Sequence, residues 1–289
     1  MRIAHLILAH EAPEHVERLI KRLQHPKADF FIHIDLKANI NPFLYLENLG
    51  QVHFIRPRVS IFKDGFSSAE AILNGFDYVL QTHKRYDYFN ILSGRDYPLK
   101  DVYEIHQFFK QNPGKIFMES RVVDSEWKEG ADNIKKYYFG YNPFFGSKLL
   151  AGLASTFLPA RKIPKNLKAY GGSEWFIISS LHANIISDYL LDFPSVINFF
   201  KKTRRSNEFI FQTLMKNSDY TTDFVDDNLR FIESAPDKIL TIEDAEKLVN
   251  SGKLFARKFD AKVDNKILDY LDEQAAIAAQ NRPVEEEED

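Results

Sequence analysis

The chain of 289 residues contains no cysteine. It therefore cannot form a disulfide framework, a thiolate metal site or a cysteine nucleophile. The sequence also lacks Gly-x-Gly-x-x-Gly and a P-loop, which excludes the common cradles for dinucleotides and nucleoside triphosphates. No apolar run reaches the roughly 18 residues of a membrane span, and charge interrupts the N-terminal apolar stretch too soon for a signal peptide. We therefore expect no integral membrane segment and a cytoplasmic location.

The charge is nearly balanced, with a formal net value of −3. No global basic field is present to attract nucleic acid or an anionic membrane, so any anion site must come from a local cluster. Hydrophobic residues make up 44% of the chain, which is enough for a substantial core. The 25 Phe and 13 Tyr suit such a core and also an aromatic-lined cleft. We expect a globular protein with no nucleic-acid partner.

The first part of the chain alternates between short apolar runs and segments with helical periodicity. Strands are predicted at 3–8, 30–34, 52–55 and 86–92, and helices at 13–23 and 67–80. This alternation predicts an α/β fold with a mostly parallel central sheet and helices on both faces. Such sheets bind ligands beyond the carboxyl ends of their strands. Polar residues follow two of these strands: Asp35, Ser93, Arg95 and Asp96.

The pattern loosens between 111 and 168, a stretch rich in aromatic residues. Irregular stretches of this length are usually functional or disordered, and the aromatic content argues against disorder. Regular elements then resume: a strand from 174, helices at 181–191, 208–216, 240–248 and 264–279, and a strand at 254–259. Because we find no repeat and no flexible linker, we predict one domain over 1–280 and an acidic, disordered tail at 281–289.

One motif places a carboxylate beside an indole ring. The glycine pair at 171–172 precedes Glu174 and Trp175, so the main chain can be approached closely and a flat face of the kind that sugars stack on is available. A second carboxylate, Glu208, follows residues 206–207, which are able to cap a helix. Alternatively, these are a turn before a core strand and an ordinary glutamate in a first helical turn.

Six short motifs occur along the chain: Ile32-His33-Ile34-Asp35-Leu36-Lys37, Leu92-Ser93-Gly94-Arg95-Asp96-Tyr97-Pro98-Leu99, Gly172-Ser173-Glu174-Trp175-Phe176, Ser206-Asn207-Glu208-Phe209, Asp227-Asn228-Leu229-Arg230 and Leu254-Phe255-Ala256-Arg257-Lys258-Phe259. With these motifs, the chain resembles the Core-2/I-branching enzyme family of glycosyltransferases over nearly its whole length. The family includes branching β-1,6-N-acetylglucosaminyltransferases and peptide xylosyltransferases. The resemblance implies a GT-A-like fold, a UDP-sugar donor, inversion and no metal requirement. Without the animal members' membrane anchor, stem and disulfides, a compact microbial version is expected.

The resemblance assigns Asp35 to the uridine part of the donor. Ser93, Arg95 and Asp96 are expected on the donor side as nucleotide-binding residues. Alternatively, Asp35 caps the next segment, and Arg95 and Asp96 form a surface ion pair of little energy. A metal-dependent GT-A enzyme generally has Asp-x-Asp after a strand, and no predicted strand here ends in this way. With no cluster of histidines at ligand spacing either, we expect no metal cofactor.

A diphosphate leaving group without a metal needs fixed cations. The resemblance supplies Lys238 and Lys258 for this role, and Arg257 is the third candidate. In a strand, Arg257 and Lys258 would point to opposite faces, and the resemblance selects Lys258 as the residue that enters the site. Alternatively, these lysines are ordinary solvated side chains.

Inverting transfer needs one carboxylate to take the proton of the acceptor hydroxyl. The resemblance aligns Glu208 with the base of the branching enzymes and Glu174 with a carboxylate that looks like the base of xylosyltransferase-type members. We predict that Glu208 is the base and that Glu174 binds acceptor or sugar hydroxyls. Two such charges close together would couple their pKa values. Trp175 is expected to pack beneath a sugar ring, with a core position as the alternative.

The sequence thus predicts an inverting, metal-independent glycosyltransferase that moves N-acetylglucosamine or xylose from UDP to a hydroxyl of a glycan acceptor. Residues from about 1–110 are assigned to nucleotide binding and those from about 111–280 to the acceptor and catalysis. One alternative is a catalytically silent module that binds UDP-sugar or glycan. Another is a retaining hydrolase whose two glutamate carboxyls lie about 5–5.5 Å apart, although the basic residues would then be unexplained. The oligomeric state is left open.

Overall fold

The computed structural model describes residues 1–138, 159–233 and 237–281. Most of the aromatic run that begins at Tyr137, and the acidic tail beyond 281, lie outside the described residues. Within the described ranges, no helix is both long enough and apolar enough to cross a membrane. The division into a nucleotide-binding half and an acceptor half stays a prediction.

The described strands are β1 Ile3–Ala9, β2 Ala28–Ile34, β3 Val52–Phe54, β4 Tyr88–Ser93, β5 Asp96–Pro98, β6 Ile116–Phe117, β7 Arg121–Val122, β8 Tyr170–Gly171, β9 Ile177–Ser179, β10 Phe224–Val225, β11 Arg230–Ile232 and β12 Phe255–Arg257. The described α-helices are α1 Pro13–Leu23, α2 Ser67–Leu80, α3 Val102–Gln111, α4 Val123–Glu126, α5 Lys128–Lys135, α6 Ser180–Asp192, α7 Pro194–Phe200, α8 Ile210–Lys216, α9 Ala245–Val249 and α10 Lys266–Gln280. Short 3-10 helices occur at Asn41–Leu49, Pro164–Asn166, Ser206–Glu208, Thr221–Asp223 and Ile242–Asp244.

The main sheet has the order β10-β6-β9-β4-β1-β2-β3 among the described strands. Strands β4, β1, β2 and β3 are parallel, whereas β9 runs antiparallel to both of its neighbours. Every residue of β1 and β2 is buried, which explains why these strands are nearly continuous apolar runs. A smaller sheet has the order β11-β12-β5, and β7 pairs with β8.

Helices cover both faces of the main sheet because side chains alternate along each strand. Leu6 and Leu8 of β1 belong to one core, together with residues of α2, α6 and α8. Ile3 and Ile7 belong to a second core, together with residues of α1, α3 and α10. The predicted α/β fold, with a mostly parallel central sheet and helices on both faces, is confirmed.

Two predicted segments differ from the structure. The helix predicted from residue 208 begins at Ile210, because Phe209 leaves helical geometry with a φ of −125° and no side chain caps the start. Glu208 instead ends a separate 3-10 turn. The stretch predicted as irregular between 111 and 168 contains β6, β7, α4 and α5 in its described part. These elements are short, so their periodic signal is weak.

Candidate active site

The carboxyl edge of the main sheet gathers residues from distant parts of the chain. Glu11, Asp35 and Arg95 lie just beyond the carboxyl ends of β1, β2 and β4. Since β9 runs antiparallel to β4, the segment that precedes β9 reaches this same edge. That segment carries Glu174 and Trp175. The sheet topology therefore brings both predicted groups together.

A first cleft of about 450 Å³ lies at this edge. Its walls include seven of the residues predicted from the sequence: Asp35, Ser93, Arg95, Glu174, Trp175, Arg257 and Lys258. Other side chains in its walls were not predicted, among them His10, Lys63, Ser68 and Asn207. Of the predicted donor-side residues, Asp96 and Lys238 do not line this cleft.

Asp35 both lines the cleft and fixes its walls. Its Oδ1 accepts hydrogen bonds from the backbone N–H of Lys37 at 2.9 Å and of Ile61 at 3.3 Å. The guanidinium of Arg58 donates to the carbonyl oxygens of Asp35 and Ala38, both at 2.6 Å. Asp35 therefore does cap the following turn, and this bonding holds its carboxylate in the wall of the cleft. The nucleotide contact stays a prediction.

Asp96 lies behind the cleft instead of in its wall. Its side chain is fully buried, accepts a hydrogen bond from Ser93 Oγ, and places Oδ1 3.1 Å from Arg257 Nε. Its Oδ2 lies 3.8 Å from the Nε of Arg230, which is also fully buried. Direct nucleotide contact by Asp96 would require exposure that this side chain lacks. The alternative surface pair with Arg95 is not formed either, because Arg95 pairs with Glu11.

Arg257 and Lys258 both line the first cleft, contrary to the expectation that they point to opposite faces. Strand β12 ends at Arg257, so the alternation of a strand does not extend to Lys258. The Lys258 ammonium pairs with Asp237, whose side chain is exposed. Lys238 lies outside the lining and pairs with Asp244 at 2.6 Å. Its role at the diphosphate stays a prediction.

A second cleft, of about 460 Å³, adjoins the first. Both clefts are lined by Glu174, Trp175 and Arg257. The second cleft also contains Glu208 and further charged or aromatic side chains, including Glu119, Arg121, Trp127, Arg205 and Glu233. Trp175 is mostly buried, so it fills the core and separates the two clefts at the same time. The core position weighed for Trp175 is therefore observed, and its contact with a sugar ring stays a prediction.

Glu208 lines the second cleft with a side chain that is mostly buried, 14% exposed. Burial raises its pKa from the ordinary value of 4.5 to about 7; the Arg205 guanidinium opposes this rise, and the charge of Glu174 adds to it. One carboxylate oxygen accepts a hydrogen bond from Arg205. The other, Oε2, is buried without a hydrogen-bond partner among the described residues. A carboxylate with these properties suits a general base near neutral pH.

Glu174 lies at the junction of the two clefts. Its Oε2 accepts hydrogen bonds from Ser68 Oγ at 3.2 Å and from the amide of Asn207. Asn207 is adjacent to Glu208 in the chain, and the charge of Glu174 raises the pKa of Glu208. The charge of Glu174 therefore acts on Glu208, and each carboxylate is held by a different set of donors.

The glycine pair at 171–172 lets the segment that carries Glu174 pack against the segment that carries Glu208. A Cβ on Gly172 would lie 2.1 Å from the carbonyl oxygen of Glu119, and one on Gly171 would lie 3.0 Å from that of Glu208. The backbone N–H of Gly172 donates to the same Glu208 carbonyl at 2.9 Å. Neither glycine has a positive φ. Gly172 is needed because main chain passes close to main chain, and Gly171 because the rings of Trp127 and Phe209 also pack within 2.8 Å of where its Cβ would lie.

Several residues of the site were missed at the sequence level. Asn207 lies within the Glu208 motif, Arg205 directly precedes that motif, and Arg230 ends another motif, so the sequence indicated their positions but not their contacts. Ser68 and Lys63 had no local signal, because they reach the cleft from a segment distant in sequence. Among the described residues, no group of three or more His, Cys, Asp or Glu side chains is arranged to hold a metal ion. Metal independence stays a prediction.

The family described as Core-2/I-Branching enzyme matches residues 3–248. Xylosyltransferase 2 of Rattus norvegicus is 25% identical over 311 aligned residues, which cover 94% of this chain and 33% of the rat protein. Xylosyltransferase oxt of Drosophila melanogaster is 27% identical over 247 residues, which cover 79% of this chain and 26% of the fly protein. The chain therefore spans about a third or less of the length of these relatives.

Solved structures show a weaker similarity. The apo form of mouse xyloside xylosyltransferase 1 has a TM-score of 0.39 and 12% identity, covering 77% of this chain and 84% of the mouse chain. Residues 1–349 of S. aureus TarS in complex with UDP give a TM-score of 0.29 and 8% identity. This match covers 44% of this chain and 37% of the TarS chain. Scores this low establish no common function.

Proposed function

The chain belongs to the Core-2/I-branching enzyme family, whose members are glycosyltransferases, and from this we propose that it transfers a sugar from a UDP-sugar to a hydroxyl of a glycan acceptor. The family resemblance seen in the six motifs is thereby confirmed. The α/β structure with its mostly parallel sheet agrees with the GT-A-like fold that the family implies. Inversion at the anomeric carbon and independence of metal ions are further parts of the proposal.

One observation carries this proposal: two clefts of similar volume meet at Glu174, Trp175 and Arg257. A transferase must hold two substrates whose reacting atoms come together at one point. The first cleft, at the carboxyl edge of the sheet, would hold the UDP-sugar. The second, with its tryptophan and charged side chains, would hold the acceptor. Hydrolysis of a UDP-sugar would need only water as the acceptor, so a second cleft of this size favours transfer over such hydrolysis.

The chemistry follows from the side chains in the clefts. Asp35 would contact the uridine, while Arg257 and Lys258 would stabilise negative charge on the departing diphosphate. Glu208 would remove the proton of the acceptor hydroxyl as its oxygen attacks the anomeric carbon. Glu174 would bind hydroxyl groups at the junction. Displacement in one step from the side opposite the leaving group inverts the anomeric centre.

Glu174 is the second candidate for the base. Its position in the walls of both clefts supports this role, whereas Glu208 lines only the second cleft. The pKa of about 7 and the unpartnered oxygen support Glu208. We retain Glu208 as the base and Glu174 as the hydroxyl-binding residue.

The names of the matched relatives favour xylose as the transferred sugar, since both are xylosyltransferases. N-acetylglucosamine is the other candidate, because the family also includes enzymes that transfer it. Trp175 does not decide between the two sugars, because a flat aromatic face accepts either sugar ring.

The test is UDP release from UDP-xylose, UDP-N-acetylglucosamine and UDP-glucose, each with and without EDTA and with a panel of oligosaccharide acceptors. We expect one donor to be turned over, with a rate that an acceptor increases and that EDTA does not change. Loss of activity in EDTA with recovery in Mn²⁺ would disprove metal independence alone. UDP binding without turnover of any donor would favour the silent binding module.

A further inference from the structure

The cations near the first cleft differ in what holds them. Arg257 and Lys238 pair with the mostly or fully buried carboxylates of Asp96 and Asp244, and Arg95 pairs with Glu11, which is 45% exposed. Lys258 pairs with Asp237, whose side chain is 77% exposed. Lys63 lines the cleft, and its ammonium has no ion-pair partner among the described residues. Lys63 therefore has no carboxylate to give up to an incoming anion, and the carboxylate that Lys258 would give up is the most exposed of these partners.

Lys63 lies on a segment that is tied to the predicted uridine site. Two positions earlier, the backbone N–H of Ile61 donates to Asp35. The backbone N–H of Phe62 donates to Ser67 Oγ at 2.8 Å, at the start of α2. Because the two residues before Lys63 are anchored in this way, Lys63 reaches the cleft from a segment that is hydrogen-bonded to Asp35.

In the unliganded chain, the cations of the first cleft stabilise the negative charge of the Asp237 carboxylate. The hydrogen bond from Lys258 is the main cause that lowers its pKa, and the charges of Lys63 and Arg257 lower it further. The residue has a φ of 61°, a conformation uncommon for aspartate. An exposed side chain is thus held where cations from two different segments favour negative charge.

We propose that Lys63 joins Lys258 and Arg257 in binding the diphosphate of the donor, and that Asp237 occupies the anion site beside Lys258 until the diphosphate displaces it. This inference rests on the proposed function, because it requires a UDP-sugar in the first cleft. The exchange is favourable because an exposed ion pair is weak, whereas a diphosphate brings more charge and more acceptor oxygens. The positive charge of the site is then satisfied both with and without donor.

The Lys63 part is tested by titrating UDP and uridine into Lys63→Gln by isothermal calorimetry. We expect the Kd for UDP to rise roughly 5- to 20-fold, the scale for losing one charged hydrogen bond, and the Kd for uridine to stay unchanged because uridine has no phosphate. Lys110→Gln, at an exposed lysine near the end of α3, is the matched control and should leave both Kd values unchanged.

The Asp237 part is tested with Asp237→Asn, which keeps the size of the side chain and removes its charge. UDP should bind about two- to fivefold more tightly, because it no longer displaces a carboxylate. This gain should vanish when Lys258→Gln is added, since the displaced contact is then absent from both proteins. Asp132→Asn is the control, because Asp132 pairs with Lys136 at 2.8 Å and lines neither cleft.

The outcomes separate this inference from the proposed function. A folded wild-type chain that binds no UDP would overturn the proposed function itself. If the wild type binds UDP and Lys63→Gln binds it equally well, Lys63 is not part of the site. If Asp237→Asn binds UDP no more tightly than the wild type, Asp237 does not occupy the anion site. Melting temperatures of all variants establish that each is folded.

Discussion

The guanidinium of Arg257 lies over the indole of Trp175, with Cζ 4.3 Å from the ring centroid. Asp96 lies 3.1 Å from Nε of the same guanidinium and is itself next to the buried Arg230. Arg257 is thus oriented by a ring face and by a buried carboxylate before any ligand arrives. Since Trp175 and Arg257 line both clefts, their contact lies at the centre of the proposed reaction.

Replacing Trp175 by phenylalanine or by leucine should distinguish the effect of an aromatic ring face from the effect of side-chain volume. Phenylalanine keeps a face for Arg257, and we expect kcat/KM within about threefold of wild type. Leucine removes the cation–π contact, and we expect a further loss of roughly three- to tenfold, together with weaker UDP binding. Steady-state kinetics and UDP calorimetry measure both. Equal kinetics for the two variants would show that the ring face does not position Arg257.

Replacing Glu208 or Glu174 by glutamine should identify the base. Glutamine keeps the shape and removes the basicity, so loss of the true base should lower kcat by about 10²- to 10⁴-fold. We expect this collapse in Glu208→Gln, and in Glu174→Gln a moderate loss with a raised acceptor KM. UDP affinity should stay near wild type in both. The reverse pattern would assign the base to Glu174. An unchanged kcat in both variants would disprove the proposed general-base mechanism.

The pH profile should reflect the charge around Glu208. A base must be ionised to act, so kcat/KM should rise with pH through about 7, the raised pKa of Glu208. In Arg205→Gln the guanidinium that opposes the rise is gone, so the acid limb should move to higher pH. Arg204→Gln is the control, because Arg204 pairs with Asp64 at 3.0 Å. Coinciding profiles of wild type and Arg205→Gln would contradict this role of Arg205.

The same pKa predicts how stability depends on pH. The folded-state pKa of Glu208 lies above its ordinary value of 4.5, so the folded chain binds this proton more tightly than the unfolded chain. The resulting stabilisation is complete below about pH 4.5 and is lost as the pH rises through about 7. Glu208→Gln cannot ionise, so its Tm relative to wild type should increase from about pH 5 to about pH 8. Glu129→Gln, at an exposed site, should show no such trend.

Alanine at Lys258 and at Lys238 should have different effects. Lys258 lines the first cleft, and its loss should lower kcat by roughly 10²- to 10³-fold, the scale for one preorganised charge at the leaving group. Lys238 pairs with Asp244, whose carboxylate also accepts the backbone N–H of Thr241 at 3.0 Å. We therefore expect Lys238→Ala to change Tm more than kcat. Equal losses of kcat would place Lys238 at the diphosphate as well.

The sequence determined the regular elements whose signal is local. Helices α1 and α2 have the predicted bounds, and β1, β2 and β4 lie within two residues of theirs. These strands are buried on both faces and so appear as continuous apolar runs, whereas these helices are buried on one face and show the helical period. The chemical types at the site were also visible, because they follow strands or lie in family motifs. Shorter elements, such as α4 and β7, had too few residues to show a period.

Only the tertiary structure decided how these residues meet. Asp96 and Arg95 are adjacent in sequence, yet one is buried behind Arg257 and the other pairs with Glu11 at the cleft. The antiparallel direction of β9 places Glu174 at the carboxyl edge, and no local pattern specifies that direction. The raised pKa of Glu208 likewise depends on burial and on charges set by the fold. These features arise from contacts between residues far apart in the chain, and local periodicity contains no information about them.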